Sequence, residues 1–186
     1  MSYPHVIDNG AGERLSFTRR GAGPAGERLE IETVVAPGAG PIMHVHHHQT
    51  EALTVVEGRI GYQRLGQPAA FAGPGETIVF APGEAHKFWN AGPDALRCSG
   101  YIEPPENAEY LLSAVFDSQR QSGGKQPHPL DAAFLARRYR NEFGLVEIPG
   151  AVQRFVFPLM IALGRLIGRY HKYADAPPPV QRVRGS

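Results

Sequence analysis

Three histidines and one glutamate stand in this chain at spacings suited to holding a metal ion: His44, His46 and Glu51 in one stretch, His86 in a second. Side chains alternate faces along a β-strand, so His44 and His46 point the same way. The chain turns around Gln49 and Thr50, and residues 51–57 read as a strand on which Glu51 shares a face with Leu53 and Val55. Gly58 closes that strand, where a tight turn needs no Cβ. Further on, residues 77–80 read as a buried strand and Ala81-Pro82-Gly83 as a turn. His86 and Phe88 then share a face of the next strand, with Asn90 near its end. The four groups converge only if both hairpins line the inside of one barrel.

Imidazole and carboxylate suit Fe, Mn, Zn, Ni or Cu, and no thiolate is present to favour a soft metal. Four protein ligands leave two positions open on an octahedral ion, whereas they close a tetrahedral Zn²⁺. The expected cofactor is therefore a divalent transition metal, Fe or Mn ahead of Zn or Ni. A single carboxylate leaves such a site with a net charge of about +1, which draws an anionic or chelating oxygen ligand.

These residues resemble the two sequence motifs of the cupin family. The first motif falls on Gly38, His44, His46, Glu51 and Gly58, and the second on Gly75, Gly83, His86 and Asn90. Ala81 stands where the second motif usually has a proline; that position stiffens a turn and holds no metal. The resemblance covers residues 28–103 and extends to small single-barrel cupins with a helical C-terminal extension. It implies a mainly β fold, a single jelly-roll barrel over residues 1–103 and a helical extension over residues 104–186 packed on the barrel or on a partner subunit. It also implies His44, His46, Glu51 and His86 as metal ligands, a homodimer, and dioxygenase-like oxidoreductase chemistry on a small organic molecule. Glu51 is in addition the candidate catalytic base. An isomerase or cyclase using the metal as a Lewis acid is the neighbouring alternative, and a non-catalytic small-molecule binder or sensor is the other.

The bland readings are definite too. His47 and His48 read as a solvated loop, Asn90 as a strand-end hydrogen bonder, and a bound metal could merely brace the barrel. Among pocket residues, Phe88 faces the metal cavity by parity with His86, and Tyr62 is a weaker candidate. On the last barrel strand either Leu96, Cys98 and Gly100 face inward or Arg97, Ser99 and Tyr101 do. The second choice would offer Arg97 and Tyr101 to an anionic substrate.

The rest of the chain frames this site. Its 186 residues suffice to bury one sizeable core, and 22 glycines and 17 prolines suit many short strands joined by turns. The lone Cys98 allows no internal disulfide, and residues 1–12 lack a signal-peptide pattern, so a cytoplasmic location is expected. Strands are expected over residues 15–18, 28–35, 59–65, 76–80, 87–89 and 96–103, with a turn-rich loop at 21–26. Helical spacing begins at Ala108 and runs to Phe116; residues 117–129 read as a linker. Helices follow over residues 130–139 and 151–170, the latter kinked at Pro158. The apolar run 155–163 is too short to span a bilayer. Residues 1–124 carry 9 Lys/Arg against 14 Asp/Glu, and residues 125–186 carry 10 against 4. That asymmetry predicts a basic tail covering an acidic barrel. With a formal net charge of only +1, the basic cluster at residues 137–140 does not make a nucleic-acid binder.

Overall fold

The computed structural model describes residues 2–123 and 126–181. Eleven strands among them form two antiparallel sheets. The first holds β1 (His5–Asp8), β2 (Glu13–Gly23), β3 (Gly26–Val35), β10 (Leu96–Glu103), β5 (Thr50–Glu57) and β8 (Thr77–Phe80), paired in that order. The second runs β11 (Phe143–Leu145), β4 (His44–His46), β9 (His86–Asn90), β6 (Ile60–Arg64) and β7 (Ala70–Ala72). From β3 onward the chain passes back and forth between the sheets, with only β6 and β7 consecutive in one, and the inward faces close on a common core. Phe17, Leu29, Leu53, Ile60, Phe80 and Leu96 are almost wholly buried in it. Burying each such side chain contributes about 1.5–3 kcal/mol, and alternation within the strands supplies the inward set.

Strand register settles the choice left open on β10. Leu96 and Cys98 are buried while Arg97 is exposed, so the apolar set points inward. Arg97 reaches sideways to Glu57 at 3.2 Å with more than half of its side chain in solvent. Tyr101 lies under the Arg28 guanidinium, 3.6 Å from the ring centroid, and Arg28 is itself fixed by Glu103 at 2.6 Å. The outer face of β10 therefore holds both residues away from the barrel interior. Arg97→Ala should leave metal content unchanged and shift stability by less than about 0.5 kcal/mol, which parallel metal assay and thermal melting would check.

Several boundaries differ from the sequence expectation. β2 and β3 run into the expected loop and leave only Pro24 and Ala25 as the turn, because the Ala25 N–H finds the Glu103 carboxylate at 2.7 Å. Strands β1, β7 and β11 carry too few alternating apolar residues to announce themselves. Helix α1 (Ala108–Ser122) continues through half of the expected linker and ends at Gly123, whose φ of 64° supplies a left-handed cap. Its last turns bury Ser118 and Gln119 rather than apolar groups, so hydrophobic spacing did not reveal them. Helix α2 (Pro129–Arg138) follows, its first turn capped by the His128 ring, which accepts from the Leu130 N–H.

The expected kinked helix is a wider-wound turn over Val152–Val156 followed by α3 (Phe157–Leu166). Pro158 stands in the first turn of α3, directly after the wider-wound turn. Gly168 at φ 71° ends the segment, and Arg169–Tyr173 forms one tight helical turn. One face of α3 buries Phe157 and Ile161 against Ala133 of α2, while Phe155, Leu159, Leu163 and Leu166 on the other stand in solvent. No helix among the described residues is long and apolar enough to cross a membrane. The extension's cations largely serve the extension itself: Arg169 and Lys172 both reach the buried Asp131 at 2.7 Å.

Candidate metal centre

Each candidate ligand is aimed by its strand. His44 on β4 faces His86 on β9 directly across the ladder, with ring centroids 4.6 Å apart. His46 lies two residues along the same face of β4. Glu51 comes from the opposing sheet, where β5 pairs it with Phe80 of β8. The turn before β9 depends on Gly83, whose φ of 81° suits a residue without a Cβ. Close approach matters as well: a Cβ on Gly40 would sit 2.1 Å from the Phe88 carbonyl oxygen, so only glycine lets the segment before β4 lie against β9.

The ligand atoms of His44, His46, Glu51 and His86 all lie within 4.8 Å of one another. His86 Nε2 is 3.1 Å and His46 Nε2 is 3.3 Å from Glu51 Oε2, while His44 Nε2 stands 3.1 Å from His46 Nε2. The remaining ring nitrogens explain this orientation. His44 Nδ1–H donates to the Ile42 carbonyl and His86 Nδ1–H to the Glu84 carbonyl, each at 2.8 Å. Those bonds fix the tautomer, so both Nε2 lone pairs point into the cluster. Two lone pairs and a carboxylate facing one small volume repel each other unless a cation lies between them. His46 Nδ1 is buried without a partner, so this ring is held by its Nε2 side alone. The donor set and its aim fit a divalent ion.

Electrostatics prepare the same state. Burial, reinforced by the nearby His46 and His86 rings, pushes His44 down to about 3, so it is a neutral ligand at physiological pH. Burial alone would raise Glu51, but the neighbouring His46 and His86 outweigh it and hold the carboxyl well below its ordinary range. His44 and Glu51 thus need shed no proton to bind a metal near neutrality.

Aromatic rings wall the cluster. Phe80 stacks on His86 with centroids 3.8 Å apart and planes within 3°, and Phe143 meets the edge of His46 at 4.9 Å. Phe143 belongs to β11, which pairs with β4 so that Phe143 faces His46 and Leu145 faces His44. The extension therefore completes the sheet that carries two of the ligands. The His47 N–H anchors this junction by donating to the Glu142 carbonyl at 2.7 Å. The alternation of Phe143 and Leu145 around a glycine was the only local signal for that strand.

Of the expected pocket residues, Phe88 and Tyr62 pair across β9 and β6 and pack in the barrel core, and neither lines the cavity beside His44 and His46. Phe88 is core. Tyr62 is half-buried and borders a shallow depression of about 620 Å³ with Arg64 and Glu84, which contains none of the four candidate ligands. A second cavity of about 360 Å³ reaches two of them. His44 and His46 line it together with Leu112 and Val115 of α1, Ala136 of α2 and Leu145 of β11. Sequence reasoning missed this apolar wall, because the helices that form it read equally well as packing against the barrel exterior. Asn90 is a strand-end hydrogen bonder: its amide donates to the Val35 and Asp94 carbonyls, both at 2.7 Å.

Residues 31–99, which include all four candidate ligands, match the family model described as Cupin domain. The barrel is a cupin domain. No curated protein matches the sequence. Among solved structures, the cupin barrel is similar to an uncharacterized conserved protein with a double-stranded β-helix domain from Klebsiella pneumoniae, at 20% identity over 56% of this chain and 81% of that one, with a TM-score of 0.43. It is similar to KdgF from Halomonas sp. at 18% identity over 53% and 86%, TM-score 0.44. A predicted oxalate decarboxylase from Thermotoga maritima shares 18% identity over 53% and 90%, TM-score 0.41.

Proposed function

We propose that this cupin is a metal-dependent oxygenase acting on a small organic molecule. The observation that supports this most is the convergence of three imidazoles and one carboxylate, two of the imidazoles opening into a cavity walled by apolar side chains. Fe or Mn held by His44, His46, Glu51 and His86 would polarise a substrate oxygen and supply a redox couple for reaction with O₂.

The chain's own groups do the rest. The Ile42 and Glu84 carbonyls keep the His44 and His86 rings aimed. Phe80 and Phe143 keep water from the outer sides of His86 and His46, which strengthens every charge interaction inside. Glu51 is ionised, and once displaced from the metal it would serve as a weak base toward a bound substrate. The apolar walls disfavour a hydrated, polyhydroxylated substrate and favour one that leaves its own water behind.

Oxygen uptake tests this reading. Fe²⁺-loaded protein should consume O₂ in the presence of chelating aromatic or dicarbonyl compounds, and His46→Ala should reduce the rate by at least about 100-fold. Turnover with Zn²⁺ in the absence of O₂ would overturn it in favour of an isomerase or cyclase. Ligand binding with no turnover under either condition would make the protein a sensor or binder.

The assembly we infer is a cytoplasmic homodimer. The exposed Phe155, Leu159, Leu163 and Leu166 face supports a protein contact, and the single cysteine Cys98, being buried, forms no disulfide. Light scattering should return twice the chain mass of 20.2 kDa; a monomer at micromolar concentration would refute it.

A further inference from the structure

The cavity beside His44 and His46 has a direction. Along α1 its wall runs from Leu111 to Gln119, eight residues that advance about 12 Å. Leu111 packs in the cluster that Phe143 joins, and Phe143 touches His46, so this end of α1 stands over the metal ligands. The other end of α1 meets the β1–β2 turn, where Gly10 lies against Arg120. Glu13, which starts β2 and is bound by Asn9 at 2.9 Å, lines the cavity there. The opposite wall, Gly40-Pro41-Ile42, leads back from this far end to His44.

Charge is distributed unevenly along the slot. No Lys or Arg lines it among the described residues, and its one acidic side chain outside the metal cluster is Glu13 at the far end. A phosphate or a second carboxylate carried away from the metal end would be desolvated without a cationic partner, which is strongly unfavourable. The volume of about 360 Å³ lies near the lower end of small-molecule sites, roughly 300–1,000 Å³.

Resting on the metal-centre reading above, we propose that this slot binds an elongated, mostly apolar molecule with a single oxygen-bearing head. The head lies at the His44/His46 end, and the apolar body extends along Leu112 and Val115 toward Glu13. Sugar phosphates are excluded by their hydroxyl groups, which the apolar walls leave unpaired, and dicarboxylates that reach the far end by the missing cation there.

Octanohydroxamate and acetohydroxamate share a metal-binding head and differ in the chain, so calorimetry of both against the full chain loaded with Mn²⁺ tests the proposal. Each methylene buried adds roughly fourfold in affinity, so the octanoyl compound, with six more methylenes, should bind up to about 4,000-fold more tightly, and about 60-fold more tightly with half of them buried. Leu112→Lys should abolish that gain while leaving Mn²⁺ content intact; the milder Leu112→Ala should reduce it several-fold and guards against a folding defect. Equal affinity for the two hydroxamates would overturn the slot assignment and leave the metal reading standing. Octan-1-ol binding that Leu112→Lys removes, in protein that takes up no Mn²⁺, would uphold the slot and overturn the metal reading. Glucose 6-phosphate binding as tightly as octanohydroxamate would overturn the exclusion of phosphates.

Discussion

Glu51→Gln is expected to lower affinity for a divalent metal by at least about 100-fold, the largest single effect in the protein. Glu51 is the only carboxylate in the cluster, and its Oε2 lies within 4.0 Å of all three imidazole Nε2 atoms. Glutamine keeps the shape but removes the charge that offsets a divalent cation in a buried site. Four-ligand structural sites bind with roughly 10–16 kcal/mol, so one ligand accounts for about 3 kcal/mol, or a factor near 100. Elemental analysis and calorimetric titration of tag-free protein would measure it. His48→Ala, which alters a side chain 3.8 Å from Glu106 and outside the cluster, is the control and should keep full metal content. Full stoichiometry in Glu51→Gln would refute the four-ligand assignment.

Asp131→Ala is expected to destabilise the chain by about 2–4 kcal/mol. This carboxylate is completely buried at the start of α2 and accepts from Ser118 of α1 at 2.6 Å, Arg169 Nε at 2.7 Å and Lys172 at 2.7 Å. It therefore ties three segments of the extension to one point. Burial tends to raise its pKa, but the bonds from Arg169, Lys172 and Ser118 win and hold it at about 2, below its ordinary 3.8. Because the folded pKa is depressed, the stabilisation is fully present above about pH 4 and disappears as pH falls through about 2. Its size over that window is about 2 kcal/mol; loss of the three bonds leaves partly hydrated cations and extends the cost in alanine. Chemical denaturation at pH 7 should show the loss. At pH 2, in conditions where both proteins remain folded, the difference from wild type should shrink, because the wild-type carboxylate is itself half protonated. A mutant as stable as wild type at pH 7 would show that these ion pairs are mere surface decoration.

The two predictions separate the barrel from its extension, and the site needs both. The extension contributes β11 to the sheet holding His44 and His46, and α1 and α2 wall the cavity into which those histidines open. A truncation after β10 would thus strip the apolar wall even if the four candidate ligands stayed together.

The candidate ligand set was legible in the sequence because it depends on period-two alternation and on glycine-dependent turns, both local properties. His44 and His46 share a face whatever the rest of the chain does, and Glu51, Leu53 and Val55 do so for the same reason. Many of the strands followed from the same alternation, together with the turn residues that separate them, whereas the jelly-roll barrel was what the resemblance to the cupin motifs implied. Tertiary structure alone decided which face of β10 points inward, since Leu96/Cys98 and Arg97/Tyr101 are equally regular alternations and a register shift of one residue exchanges them. It alone brought Phe143 beside His46, because a three-residue edge strand is too short to be stable until β4 offers its free edge. It also made a slot of α1 and α2: an amphipathic helix announces that it has an apolar face, but what that face covers is fixed only when the chain folds back upon itself.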